Sequence, residues 1–371
     1  VVDLELLREN IRINLERASE LPIRIATKSV RCPEVLRLIQ SESDRFRGLM
    51  TYHGRETLRL AEMGFDDLLL GYPVVEPPLL QRLAEWVRAG HRICFMADST
   101  DHLDLLEEAG RLAETVVPVC LDIDLSDSYP GLHFGVWRSS LRTIADIQRV
   151  GAHSRQLAHI RIAGIMGYEA QIAGVGDRVP GAVLKNAVVR WLQRRAAGRA
   201  AARRWEAVNT LREMGFELEF VNGGGTGSLE STVRDDSVTE VTVGSGFYGG
   251  GLFDQYRDFS VRPALFYGIP VVRKPVAGVY TCHGGGYVAS GAVDGAKAPV
   301  VHLPEGGRLD PLEGAGEVQT PVRFTANPAL RLGDPVFMRY AKAGELLDHF
   351  PSIHLYDKDE LREVVTYRGM E

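Results

Sequence analysis

The stretch Ile23-Arg24-Ile25-Ala26-Thr27-Lys28-Ser29-Val30-Arg31 decides how the rest of the 371-residue chain is read. Ile23, Ile25 and Ala26, with Pro22 just ahead, suit a short strand of a buried parallel sheet. The strand runs into a lysine. In a closed barrel, a lysine at the C-terminal end of a strand points its amine into the mouth, where active sites of that architecture lie. Taken alone, such a lysine is ordinarily a solvated charge. The glycine-rich segment Val221-Asn222-Gly223-Gly224-Gly225-Thr226-Gly227, far downstream, changes that weighing.

Outward from Lys28 the chain alternates. The apolar spacing predicts helices over 3–20, 33–41, 55–63, 77–89, 101–114, 139–149 and 182–214. Between them, strands are expected at 48–52, 67–71, 91–96, 116–122, 159–163, 216–221 and 240–243. With the Lys28 strand this makes eight β units, which indicates an α/β fold built on a closed (β/α)8 TIM barrel rather than an open sheet. After residue 245 the helical period fades and short β-rich runs take over, at 270–273, 278–282, 287–290, 300–303, 321–324 and 334–338. The expected division is therefore a barrel over 14–248 and a C-terminal antiparallel β domain over 249–371, with residues 1–13 able to join either. The Ala/Arg-rich run 194–204 is expected to be the solvated face of a long helix, since no base-reading aromatic residues accompany it.

Composition narrows the class. The chain is 45% apolar and 25% charged with a formal net charge of −6, which gives nucleic acid or an anionic membrane little to bind. No apolar run approaches the ~20 residues needed to span a bilayer. The N-terminal stretch is charged and helix-like, unlike a secretory leader. Cys32, Cys94, Cys120 and Cys282 lie far apart without Cys-x-x-Cys spacing, which suggests reduced thiols in a cytoplasmic protein.

Three groups of residues carry chemistry. The segment Gly223–Gly227 follows an apolar strand, so its backbone N–H groups can form an anion-binding nest, with the Thr226 hydroxyl as a further donor. Gly244-Ser245-Gly246 is a second small-residue turn after the next strand, and two such consecutive loops are the usual phosphate site of a barrel. Either loop alone also reads as a tight turn. Asp122 and Asp124 flank Ile123 at a strand end and suit a metal or a general base, with loop capping a close competitor. His133 and Tyr168 follow strands and can face a ring, although packing is the commoner role for a lone tyrosine. A lysine able to form a Schiff base and a phosphate cradle are the two fixtures a pyridoxal phosphate enzyme needs.

The motifs Pro22–Arg31, Asp122-Ile-Asp124, Gly164-Ile-Met-Gly-Tyr168-Glu, Val221–Gly227 and Gly244-Ser-Gly-Phe-Tyr248 with Phe253-Asp-Gln-Tyr256 occur in an order that resembles the fold-type III pyridoxal phosphate enzymes. Within that alanine-racemase-like group the chain is similar to the D-threonine aldolase and D-serine dehydratase branch, the amino acid deaminase/aldolase family. The resemblance implies pyridoxal 5'-phosphate held by Lys28. The cofactor set then comprises His133, Tyr168, Gly224, Gly225, Thr226, Gly227, Gly244, Ser245 and Tyr256. It implies a small-molecule amino acid substrate and a D-threonine-aldolase-like cleavage to glycine and an aldehyde. Dehydratase-type elimination, racemisation and a non-catalytic pyridoxal-phosphate-binding homeostasis role stand as alternatives, as does a metal lyase using Asp122 and Asp124. His133 falls where relatives commonly carry an arginine facing the ring nitrogen.

The branch usually has a divalent metal held by a His-x-Cys or His-x-Asp pair soon after a Gly-Asp-x-Val turn. Here Gly333-Asp334-Pro335-Val336 is present, but Lys342 stands where the histidine is expected. Its ammonium can take the cation's place, or it can form an ordinary surface pair with Glu345. His283, His349 and His354 remain as ligands without the family's spacing, so the need for a metal is left open. His283 and Tyr287, in Cys282-His-Gly-Gly-Gly-Tyr287, are candidates for a second base, against a structural glycine turn. A head-to-tail homodimer is expected, one copy's β domain covering the other's barrel mouth.

Overall fold

The computed structural model describes residues 1–291, 295–342 and 344–370. Eight strands close into a barrel in chain order: β1 (Ile23–Ala26), β2 (Phe46–Thr51), β3 (Leu68–Leu70), β4 (Ile93–Ala97), β5 (Val117–Asp122), β6 (Ile160–Gly167), β7 (Phe220–Gly223) and β8 (Glu240–Val243). Every neighbouring pair is parallel, and β8 closes on β1 through Val241 opposite Ile23 and Val243 opposite Ile25. The intervening helices are α2 (Pro33–Ser41), α3 (Gly54–Glu62), α4 (Pro77–Arg88), α5 (Thr100–Ala113), α6 (Ile144–Ser154) and α7 (Val183–Glu213), after an N-terminal α1 (Leu4–Arg17). Ser99 caps α5 by accepting from the His102 N–H, and Thr143 with Asp146 forms a capping box on α6. The chain divides into two compact units. One is Leu15–Lys28 with Leu38–Gly244, and the other is Val1–Asn14, Ser29–Arg37 and Ser245–Glu371.

Side chains fill the barrel in layers, because alternate residues of each strand point inward. The floor is ionic. Arg24, only 4% exposed, reaches past its neighbouring strands on both sides. Its guanidinium donates twice to Glu240 of β8 (2.8 and 3.0 Å) and to the Asp67 carboxylate (2.8 Å), and lies 5.7 Å from the Phe220 ring centre. Asn222 donates to Glu240 (2.8 Å) and to Thr242 Oγ1 (2.9 Å), extending the network round the wall. Burial works against the Arg24 charge and lowers its pKa, but the two carboxylates more than offset it and raise the pKa above its ordinary value. Above the floor lies a soft apolar layer of Leu69, Met96, Cys120 and Met166, packed by Met50, Cys94 and Phe220. Burial pushes the Cys94 and Cys120 thiols up, so both remain protonated packing groups.

The second unit holds a six-stranded antiparallel sheet. Its order is β11 (Val300–Leu303), β14 (Pro335–Arg339), β9 (Phe266–Val276), β10 (Val279–His283), β13 (Gln319–Phe324) and β12 (Gly307–Leu309). A smaller sheet pairs β15 (Ser352–Asp357) antiparallel with β16 (Glu360–Val365), and Val2–Asp3 adds to β15 in parallel. Residues 2–3 thus belong to this unit, the one open point about the N-terminal segment.

Three expectations need correction. The helix expected over 139–149 starts at Ile144, because Ser139 Oγ donates to the Asp122 carbonyl and Ser140 Oγ to the Asp98 carbonyl, and only Thr143 caps the helix. Ahead of it, Asp127–Tyr129 and Leu132–Phe134 form a hairpin. The seventh barrel strand begins at Phe220 rather than 216, since Gly215, at φ 81°, ends α7 and Phe216 N–H still bonds back to Leu211. No strand forms at 287–290: Tyr287 N–H turns back to Gly285 (2.8 Å), and Ser290 N–H is spent on Glu345 (2.8 Å). No helix among the described residues is long and apolar enough to cross a membrane.

Removing Glu240 leaves the buried Arg24 guanidinium with only the partly exposed Asp67 carboxylate. Glu240→Leu should cost about 3–5 kcal/mol of stability, and Arg24→Met with Glu240→Leu should recover most of it. Urea unfolding of the three proteins checks this; a Glu240→Leu midpoint equal to wild type would show that the pair is not needed for closure.

Candidate active site

Lys28 sits in a single 3-10 turn, Thr27–Ser29, directly after β1, with its side chain exposed. Thr27 anchors the turn by donating to the Met50 carbonyl on β2 (3.0 Å). The Lys28 Nζ lies 3.2 Å from the hydroxyl of Tyr72, which follows β3. Arg138 comes next: its guanidinium carbon is 4.7 Å from the Tyr72 ring centre and 5.9 Å from that of Tyr168. Arg138 is fixed by Asp122, whose Oδ2 accepts from Nε at 2.6 Å, and by the Gly71 carbonyl at 2.8 Å. Lys28, Tyr72, Arg138, Asp122 and Tyr168 therefore form one chain of charged and phenolic groups after strands β1, β3, β5 and β6. Tyr72 and Arg138 were absent from the sequence-based set; the signal for Tyr72 was its place two residues beyond a barrel strand.

Their environments push the ionisable groups apart. Burial raises Asp122 to about 7, against the pull of Arg138, and its Oδ1 has no hydrogen-bond partner among the described residues. Burial raises the Tyr168 phenol to about 12. Tyr72 goes the other way. Burial would raise it, but Lys28 and Arg138 together bring it below its ordinary value. Asp124 is not part of a carboxylate pair: it binds Arg142 (2.7 Å) and caps its own loop by accepting from Ser126 N–H (2.8 Å). His133 stacks on Trp137 with ring centres 3.9 Å apart, and both its ring nitrogens are buried without a partner among the described residues.

The glycine loop rests on a second buried ion cluster. Arg204 of α7, 1% exposed, pairs with Glu169 and Asp235 and donates to the Gly167 carbonyl at the end of β6 (3.0 Å). The expectation that the whole 194–204 run is solvated fails at this residue, because two carboxylates distant in sequence compensate its charge. Glu169 also accepts from the Gly224 N–H (2.9 Å) and from Thr232 Oγ1 (3.2 Å). Gly225 N–H donates to Ser228 Oγ (3.1 Å), so two of the nest's donors are engaged, one by Glu169 and one within the loop. Gly224 has φ 79°, and a Cβ on Gly225 would come within 2.8 Å of the Tyr168 ring. Thr226 is buried, and its carbonyl accepts from Arg17 (2.5 Å). Gly227 is partly exposed and Gly244 buried.

The remaining candidates lie in the other unit. Ser245 Oγ is 3.1 Å from Ser29 Oγ. Tyr256 packs into a cluster with Phe253 and Val261, its ring 5.1 Å from that of Phe259. His283 is exposed at the end of β10. Tyr287 packs on Tyr267 (5.1 Å) and His349 (4.7 Å between ring centres). Lys342 Nζ donates to the Ser290 carbonyl (3.0 Å), while Glu345 accepts from Ser290 N–H and Oγ and from the Tyr340 hydroxyl (3.1 Å). Among the described residues no three His, Cys, Asp or Glu side chains converge as a metal site.

A carboxyl raised on folding stabilises the folded state fully below its unfolded value of about 4. That contribution is lost as the pH rises through about 7. The melting temperature of Asp122→Asn, relative to wild type, should therefore climb between about pH 4 and 7. A constant difference across that range in thermal melts would mean that Asp122 is an ordinary carboxylate.

Comparison with known proteins bears on this constellation. D-threonine aldolase of Arthrobacter sp is 26% identical over 282 residues, covering 74% of this chain and 68% of that protein. The crystal structure of D-threonine aldolase from Filomicrobium marinum superposes with a TM-score of 0.82 at 20% identity, covering all of this chain and 94% of that one. D-threo-3-hydroxyaspartate dehydratase from Delftia sp. HT23 gives 0.77 at 17% identity, covering 99% of this chain and 96% of that one. At those identities the two structures speak for the fold. Residues 2–251 match the family described as "Alanine racemase, N-terminal domain", and the chain belongs to that family.

Proposed function

We propose that the protein is a pyridoxal-phosphate-dependent lyase that cleaves D-configured β-hydroxy amino acids to glycine and an aldehyde. The observation that carries this is the exposed Lys28 amine beside Tyr72 and the Arg138–Asp122 pair, in a chain of this family. The D-threonine aldolase likeness supports the reaction.

The residues fit the cofactor. A phosphorylated pyridine aldehyde needs a reachable amine, a cationic and aromatic setting, and a cradle free of side chains. Lys28 supplies the first, and Arg138 between Tyr72 and Tyr168 the second. Gly224 and Gly225 supply the third, since a Cβ at Gly225 would strike Tyr168. Lys28 would hold the aldehyde carbon, and Thr226, Gly227, Gly244 and Ser245 would line the phosphate. Arg138, not His133, carries the cation that would meet the ring. Bound there, the cofactor would withdraw electrons from the carbon bearing the substrate amine. The protein's own groups then decide which bond breaks.

A divalent cation does not fit the place after β14. Glu345 has its oxygens committed to Ser290 and Tyr340, and the neighbouring side chain is the Lys342 ammonium. Lys342 would polarise the substrate's β-hydroxyl through its fixed charge, which a protonated amine supplies without coordination. His283 and Tyr287 are the proposed alternatives for moving the hydroxyl proton.

Two experiments test this reading. Lys28→Ala should lose the absorbance of bound pyridoxal phosphate and all glycine release from D-threonine while keeping its melting temperature. Ammonia and a keto acid in place of glycine and aldehyde would make the wild type a dehydratase. In the second, activity should survive EDTA, and Lys342→Ala should lower turnover by about 10²-fold or more with little change in cofactor affinity. Loss of activity in EDTA, restored by manganese, would overturn the role given to Lys342.

A further inference from the structure

Tyr72 is held in a fixed position beside Lys28. It follows Gly71 and precedes Pro73, and the proline holds the Tyr72 backbone out of the helical region. Arg138 bonds the Gly71 carbonyl at 2.8 Å and stacks over the Tyr72 ring at 4.7 Å, so the ring is clamped from backbone and face together. Its hydroxyl stands 3.2 Å from Lys28 Nζ, with the ammonium 5.5 Å from the ring centre. The amine therefore meets the oxygen edge of the phenol rather than its π face.

An alkylammonium must lose a proton before its nitrogen can attack a carbonyl, and it must find a proton again when it leaves. A phenol at hydrogen-bond distance is a base of suitable strength only if its anion is stabilised. The groups facing Tyr72 do this: Lys28 and Arg138 bring cations to it, while Asp122 faces Arg138 and not the phenol. Tyr168, on the other side of Arg138, is the contrasting case. It is held neutral by burial, while the two cations bring Tyr72 below its ordinary value. Two phenols a guanidinium apart are thus separated into one that ionises readily and one that does not, which is how environments divide acid–base roles.

We propose that Tyr72 is a catalytic residue, the proton-transfer partner of Lys28. The Tyr72 phenolate takes a proton from the Lys28 ammonium, giving a neutral amine and a neutral phenol, and the reverse transfer restores both charges. No other reactant enters. The inference rests on the reading of Lys28 as the amine that carries pyridoxal phosphate.

The test uses Tyr72→Phe, which keeps the ring under Arg138 and removes only the hydroxyl. The full-length protein is stripped of cofactor and mixed with pyridoxal phosphate across a range of pH. Attachment is followed by absorbance and located by borohydride reduction and peptide mass. Tyr72→Phe should reach the same final labelling of Lys28 but about 10²-fold more slowly near neutral pH, the lower end of general acid–base effects, with the rate rising only at higher pH. Ultraviolet titration of the cofactor-free proteins should show one early-ionising phenol in wild type that is missing from the variant. Wild-type labelling at Lys28 with the same rate–pH profile in Tyr72→Phe would overturn the role of Tyr72 and leave the cofactor reading intact. A change in final labelling alone, with the profile unmoved, would make Tyr72 structural and also overturn it. Wild-type protein that takes no label at Lys28 would remove the cofactor reading, and the inference with it.

Discussion

A charge sealed into the floor of the barrel is the constraint on which the other features depend. Arg24 lies two residues from the end of β1, and its guanidinium is bound to Glu240 of β8 and to Asp67 ahead of β3. Strand register has a period of two, so a slip of one residue would turn Arg24 into the helix layer and every apolar partner into the lumen. A buried bidentate ion pair has narrow geometric tolerance, and an unpaired buried charge costs several kcal/mol. The pair thus ties the first strand to the last. The same register sets where β1 ends, and hence where the Thr27–Ser29 turn presents Lys28.

The same device recurs beneath the glycine loop. Arg204 enters from α7 and is neutralised by Glu169 and Asp235. It needs room to do so. A Cβ on Gly167 would approach its Nε to 3.2 Å, and one on Gly223 its terminal nitrogen to 3.1 Å. Those two glycines make space for a protein side chain, whereas Gly224 and Gly225 shape the loop that faces Tyr168. The glycines around this cluster therefore have two structural jobs, making room for Arg204 and shaping the loop against Tyr168. Glu169 joins the two, with one oxygen on Arg204 and the other on the Gly224 N–H.

Periodicity made the barrel legible: eight apolar runs separated by helical spacing leave few other topologies, and the helix over 33–41 has the bounds that Pro33 implied. The strands of the second unit were legible where they were long and flanked by turns. Those at 307–309 and 360–365 escaped because they are short or mostly exposed and carry little apolar alternation, whereas the alternation of buried Ile353 and Leu355 at 352–357 was there to be read. Side-chain clusters were less legible still, for a physical reason. Arg204 and its neighbours in the Ala/Arg run look alike in composition, and what buries one of them is a pair of carboxylates contributed by other parts of the chain. Arg138 is likewise defined by Asp122, sixteen residues earlier, across a hairpin that the apolar pattern did not announce.

Arg138 changes the electrostatic sense of the barrel mouth. With His133 as the expected ring contact, the mouth would carry one fixed cation, Lys28. With Arg138 it carries two, and the carboxylate that would cancel the second is buried deeply enough to prefer its proton up to about pH 7. Each protonation of Asp122 thus adds a positive charge to the mouth without moving an atom. A low-dielectric cleft lined by one sign of charge concentrates ligands of the other sign. A phosphorylated, carboxylate-bearing ligand is the kind such a field favours. The field also explains why the phenol between the two cations, and not the one behind them, is the group whose proton is loosest.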